Sequence, residues 1–133
     1  MGSRITKEQT IRVGEKVVIE GPSPSTSFSV VFEDDGETGY FYGLDMSRQD
    51  DLILDALHVY DVAVVTDRDL PSQVQIVWSA DGLKAALAVN GYVHAVFDFE
   101  TKRGYCRDGF PPHVGNWSEQ GHDWDDRAMD LFR

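Results

Sequence analysis

Four carboxylates crowd the stretch from Val31 to Phe41, VFEDDGETGYF: Glu33, Asp34, Asp35 and Glu37, with Gly36 among them. Acids so close together suit a cation, a basic partner or a solvated turn. A helix-flanked calcium loop needs acids at alternating positions before its glycine and a bidentate glutamate six residues after it. Val31 and Tyr42 stand where two of those ligands belong, and the flanking residues are β-branched and aromatic. The spacing therefore predicts a hairpin turn and no metal. Glu33, Asp34, Asp35 and Glu37, with Asp50 and Asp51, form a candidate surface for a basic protein.

The other chemistry-bearing residues are scattered. His58, His94, His113 and His122 have no metal-ligand spacing. His94 and Asp98 are four residues apart on one predicted strand, about 13 Å along it, beyond hydrogen-bond reach. A base at His94 needs an orienting group from another strand, with His58 and Tyr60 the candidates. Tyr92, His94, Asp98, His113 and Trp117 are the candidate lining of a cleft between the sheet and a long loop at 108–122. Cys106, the single cysteine, has Arg103 and Arg107 nearby but is expected as a half-buried strand thiol; no intrachain disulfide or paired-thiolate zinc site is possible. There is no nucleophile elbow, phosphate loop or dinucleotide fingerprint. That absence favours a binding protein over an enzyme and predicts no cofactor.

Charge narrows the classes further. Twelve Lys and Arg stand against 23 Asp and Glu, a formal charge of −11. Such a chain repels phosphates, which excludes nucleic acid and anionic membrane as expected partners, and it speeds encounter with a basic protein. No window approaches the roughly 18 apolar residues of a membrane helix. The first sixteen residues hold no apolar run long enough for a secretory signal, so a cytoplasmic location is expected.

The elements that must position these groups are mainly strands. One domain is expected over 1–133, with 1–16 loosely ordered, a loop at 108–122 and a helix at 123–132. KVVIE, FSVVFE and GYFYGLD are strand candidates, the last two bracketing the acidic turn after the connector GPSPSTS. Matching Phe28, Val30 and Phe32 to Tyr40, Tyr42 and Leu44 on one face demands an odd loop, Asp35 to Glu37 or Asp34 to Thr38. The stretch 50–66 reads as a helical turn leading into a strand, because Leu52, Ala56 and Tyr60 recur at helical spacing before a Val-rich end.

QVQIVWS and LKAALAV alternate around Asp81-Gly82, a turn that sets Trp78 opposite Ala85 and Ile76 opposite Leu87. At the next turn, a bulged loop of Val89, Asn90 and Gly91 would pair Leu87 with Val93 and Ala85 with Ala95. The opposite face, Val77, Ala86, Ala88 and Val96, has small residues that invite a covering layer. Asp123 is a plausible cap for the final helix, with Trp124, Ala128, Leu131 and Phe132 as its apolar stripe. The whole predicts one antiparallel meander sheet of six or seven strands, curled or open, with a short C-terminal helix.

Taken together, VFEDDGETGYFYGLD, ILDALHVYDV and WSADGLKAALAVNGYVHAVFDFETKRGYC resemble a family of uncharacterised bacterial proteins, domain of unknown function 2251. The likeness runs from Phe28 to Arg107. It implies a bacterial source and a small single-domain protein, and it carries over no catalytic residue. The leading reading is an acidic bacterial interaction protein, of which an immunity protein that neutralises a basic toxin is one form. The alternative is a small enzyme or ligand-binding protein using the cleft around His94 and 108–122.

Overall fold

The computed structural model describes residues 2–112 and 116–132. Its alternating segments form nine strands: β1 (Arg4–Ile11), β2 (Val17–Pro22), β3 (Phe28–Asp34), β4 (Thr38–Asp45), β5 (Ile53–Asp61), β6 (Ser72–Trp78), β7 (Lys84–Val89), β8 (Tyr92–Asp98) and β9 (Arg103–Cys106). They make two antiparallel sheets, not one meander. Sheet I has the order β1-β6-β7-β8-β9 and sheet II the order β2-β3-β4-β5. Alternation says which face a side chain takes but not which sheet its strand joins. The chain changes sheet twice, between Ile11 and Val17 and again between Asp61 and Ser72.

The inner faces pack into one core. Val30, Phe32, Phe41 and Leu57 from sheet II meet Val74, Ile76, Trp78, Leu87 and Phe97 from sheet I, all of them buried. The N-terminal segment, expected to be loose, is strand β1: its backbone pairs with β6 from Arg4↔Trp78 to Ile11↔Ser72. Main-chain pairing organises it, which its polar side chains do not reveal.

The β6-β7 register is the expected one, with Trp78 opposite Ala85 and Ile76 opposite Leu87. Between β7 and β8 the extra residue exists but sits elsewhere. Asn90 (φ 53°) and Gly91 (φ 80°) make a two-residue turn, and the register shifts between Leu87 and Ala88. Val93 faces Ala88 and Ala95 faces Leu87, so His94 is the bulged residue. The matching of apolar faces demanded one odd residue; the left-handed Asn90-Gly91 pair moved it from the loop into the strand.

The acidic hairpin departs from expectation in parity. Phe32 faces Phe41, Val30 faces Gly43 and Asp34 faces Gly39, so Tyr40, Tyr42 and Leu44 lie on the opposite face. The two glycines explain it. A Cβ on Gly39 would stand 2.8 Å from Tyr60 Cζ, and one on Gly43 would stand 3.3 Å from Phe97 Cε1. Only the Gly-x-Phe-x-Gly parity leaves room for those rings against the inner face.

At 53–61 the expected order of elements is reversed: strand β5 comes first and a single 3-10 turn, Val62–Val64, follows. Register shifts leave Leu54 and Val59 unpaired in β5, which disturbs the period of two and imitates helical spacing. The C-terminal segment is a 3-10 helix, Asp126–Phe132, not an α-helix at 123–132. Asp125, not Asp123, caps it, its Oδ1 accepting the Arg127 N–H at 2.9 Å. Its stripe is as expected, because Trp124, Ala128, Leu131 and Phe132 pack with Ala86, Val96, Val77, Val93 and Tyr105 on the outer face of sheet I.

Candidate partner-binding face

Among the described residues no such segment covers the outer face of sheet II. Register places Val18, Glu33, Tyr40 and His58 in one cross-strand row and Glu20, Val31, Tyr42 and Ala56 in the next. Val18 is 59% exposed. The Tyr40 and Tyr42 rings stack at 6.0 Å, and His58 meets Tyr40 edge-on at 5.4 Å. Burial, and after it the charges of Asp108 and Asp61, push the Tyr40 hydroxyl up; burial and then Glu33 do the same to Tyr42. Strands β2, β3, β4 and β5 contain no Lys or Arg at all. The face is therefore aromatic and acidic.

At its edge His58 donates Nε2–H to Asp61 at 2.9 Å and Nδ1–H to Asp108. Burial pulls its pKa down, but the two carboxylates outweigh that and hold it above 6.5. Phe110 stands edge-on to the same imidazole at 5.8 Å.

The acids singled out from sequence separate into three groups. Glu33 belongs to the open face. Asp35 and Glu37 are exposed at the hairpin tip beside it, where Asp35 Oδ1 accepts the N–H groups of Glu37 and Thr38, each at 2.9 Å. Asp34 is not a surface acid: it is 1% exposed, accepts Gly14 N–H and Tyr60 O–H at 2.7 Å each, and accepts Gly36 N–H at 2.8 Å. It fastens the hairpin to the chain entering β2. Asp50 and Asp51 are exposed in the connection after β4, about 25 Å from the tip by strand rise. Tyr40 and Tyr42 were missed because face matching assigned them to the core, and His58, a candidate orienting group for His94, is bonded to Asp61 and Asp108 instead. The glycine pair flanking Phe41 was the signal that could have found the tyrosines.

The candidate cleft is not assembled. Tyr92 and His94 touch edge-on at 5.0 Å, and Arg107 lies between Tyr92 (4.4 Å) and Trp124 (3.7 Å). Burial, then Arg107, pushes the His94 pKa down. Asp98 is buried elsewhere and accepts the N–H groups of Glu100 (3.0 Å) and Thr101 (3.3 Å), a turn-forming role. Trp117 is buried against Phe97 and Phe99. His113 lies outside the described residues. Of the four that are described, only Tyr92 and His94 come together.

A second histidine cluster has the residue types of a hydrolytic triad in the wrong arrangement. His122 donates Nε2–H to Asp55 at 2.9 Å and Nδ1–H to the Pro111 carbonyl; Ser118 donates its hydroxyl to Asp55 at 2.7 Å. The carboxylate stands between hydroxyl and imidazole, and both ring nitrogens act as donors. The imidazole does not hold the serine hydroxyl, so the three groups lack the order of a Ser-His-Asp relay. The Ser118 oxygen also accepts Gly104 N–H at 2.7 Å, tying edge strand β5 to edge strand β9. Cys106 is buried, and burial, then Asp108, pushes its thiol up to about 12, against formation of the thiolate. Among the described residues no group of three His, Cys, Asp or Glu is placed to hold a metal ion, and no helix is long and apolar enough to cross a membrane.

The geometry defines a class: a two-sheet antiparallel β protein with one covered outer face and one open, acidic, aromatic face. The chain belongs to a bacterial family described as "Uncharacterized protein conserved in bacteria (DUF2251)", whose match spans residues 11–133. That span takes in β2 and the C-terminal segment, beyond the Phe28 to Arg107 stretch in which the resemblance was legible. A protein of Haemophilus influenzae described as "Uncharacterized protein" is 48% identical over 84 residues, 63% of this chain and 52% of the relative. The chain thus spans about half the length of the curated relative it matches. No solved structure matches it.

Proposed function

We propose that the chain is a cytoplasmic interaction protein that docks a basic protein on the open face of sheet II. One observation carries this reading: four adjoining strands present Tyr40, Tyr42, Val18 and Val31 among Glu20, Glu33 and Asp61 without a single Lys or Arg. Arginine and lysine side chains lie favourably over tyrosine faces, and carboxylates at the margin fix their charged ends. Tyrosine is also a residue type that dominates binding energy at interfaces. The overall charge of −11 supplies the steering. A toxin that acts on nucleic acid is a basic protein of this kind, and its neutralisation is the role that fits best.

The test is affinity purification from the native host at low salt, run in parallel with a Glu33→Lys/Tyr42→Ala double variant. Wild type is expected to retain a basic protein that the double variant loses and that moderate salt releases. Retention of no basic protein, or equal retention by both, overturns the reading. A second function, small-ligand binding, is favoured by a separate cavity at one end of the molecule.

A further inference from the structure

Where β3 begins, β4 and β8 end and β5 begins, the two sheets leave a cavity of about 390 Å³, within the size range of small-molecule sites. Its floor is aromatic. Phe28 stacks on Phe99 at 4.6 Å with an interplanar angle of 20°, and Trp117 meets Phe99 edge-on at 5.4 Å. Phe99 and Trp117 are 4% and 7% exposed. No hydrogen bond is made by the Trp117 indole N–H among the described residues.

Its rim carries Arg48 and Lys102 beside Asp45 and Asn116. Asp45 is already engaged, by Ser47 N–H at 3.0 Å, the Ser47 hydroxyl at 2.6 Å and Ser27 at 3.4 Å. Arg48 and Lys102 make no salt bridge and no side-chain hydrogen bond among the described residues. Lys102 and Asn116 also border a neighbouring cavity of about 320 Å³, lined in addition by Arg103, whose Nε is buried without a hydrogen-bond partner. Three cations thus gather at one end of a chain of net charge −11: among the described residues Arg48 and Lys102 make no close ion pair, Arg48 acting on Asp45 only through its charge, and Arg103 has an unused donor.

Lys102 adds a further sign. Its φ is +59°, a conformation that suits glycine, and its carbonyl accepts Ser118 N–H at 2.9 Å. The turn uses only the backbone of this residue; among the described residues its ammonium group has no partner. Sparsely populated backbone conformations held by side-chain-bearing residues concentrate where ligands bind.

We propose that this end cavity binds a small molecule with a flat aromatic body and an anionic group, the ring on Phe28, Phe99 and Trp117 and the anion at Arg48 and Lys102. The site is separate from the acidic face and independent of the partner proposed for it. Aryl carboxylates and aryl phosphates share the required chemistry. The ring gains apolar contact and edge-to-face packing, while the anion receives the unsatisfied donors.

The experiment is an amide and indole NMR titration of the whole chain with benzoate and phenyl phosphate, with benzyl alcohol and inorganic phosphate as controls. Saturable shifts are expected at the Trp117 indole and at the Phe28 and Phe99 amides, with either control at least about tenfold weaker, the loss expected on removing one charge-assisted interaction. Response to one anion alone assigns the carboxylate or the phosphate class. Lys102→Gly removes the cation while giving the turn its easiest residue, so the fold is retained; it should weaken binding about tenfold, as should Arg48→Gln. Absence of saturation with both anions, equal binding of benzyl alcohol, or unchanged affinity in both variants overturns the proposal.

Discussion

Strand β5 presents a histidine–carboxylate cluster on each of its faces, and the two have opposite physical characters. Inward, Asp55 holds His122, whose side chain is 1% exposed. Outward, His58, whose side chain is 11% exposed, sits between Asp61 and Asp108, whose side chains are 58% and 46% exposed against 6% for Asp55. Both bind β5 to the segment that follows β9. The inner cluster is a latch: a Cβ on Gly104 would stand 3.0 Å from Asp55 Oδ2, so the strands approach as closely as glycine allows. The outer cluster belongs to the face on which a partner is proposed. Similar side chains are thus closed off from water in one cluster, while in the other the carboxylates stay in contact with it.

The sharpest way to break this comparison is Asp55→Ala. It leaves the buried His122 ring and the Ser118 hydroxyl without their acceptor, a loss of about 3–5 kcal/mol for removing one partner of a buried pair. Urea unfolding followed by tryptophan fluorescence measures it. A loss below about 1 kcal/mol would place the inner cluster in the same class as an exposed pair and dissolve the distinction.

The pH dependence sharpens it. Burial lowers the His122 pKa, but Asp55, the Pro111 carbonyl and the charge of Asp123 raise it above 6.5 overall. A raised histidine pKa means that the folded state binds the proton more tightly. Its contribution is complete below pH 6.5 and is lost as pH rises through the folded value. His58 has the same sign; His94, pushed down, acts only on the acid side of 6.5. Stability should therefore fall from about pH 6.5 upward, by no more than about 1.4 kcal/mol per pH unit for each group. Unfolding curves from pH 6 to 9 are expected to keep most of that slope in His58→Gln and lose most of it in His122→Gln. A wild-type curve flat across this range would contradict the latch.

What was legible in the sequence, and what was not, divides along the same line between local and long-range order. Turn chemistry at Asp81-Gly82 and alternation in QVQIVWS set a register that the structure keeps. The small Ala86 and Ala88 foretold a covered outer face, and the stripe from Trp124 to Phe132 supplied the cover. The split into two sheets was hidden, because hairpin logic joins neighbours in sequence whereas β1 reaches across to β6. Asp34 looked like its exposed neighbours, yet its partners Gly14 and Tyr60 are 20 and 26 residues away. His122 and Asp55 are 67 residues apart, and no spacing rule connects them. The open face was misread because aromatic bulk at Tyr40 and Tyr42 was taken for core, while the glycines beside Phe41 marked the true inner parity.

The smallest expected effect on stability is at the outer cluster, and it carries the other half of the comparison. His58→Gln exchanges a partly solvated, carboxylate-bound imidazolium for a neutral amide and should cost less than about 1 kcal/mol, since its partners are half exposed and screened. It also removes the only group in β2 to β5 that becomes cationic near neutral pH, leaving Asp61 and Asp108 uncompensated. A basic partner on this face would then associate faster, with a steeper salt dependence, while the fold is nearly unchanged. The measurement is paired: unfolding free energy and association rate of the same variant, at low and moderate salt, with the partner recovered from the host. A large loss of stability with no change in rate would make the outer cluster a second latch and remove it from the binding face.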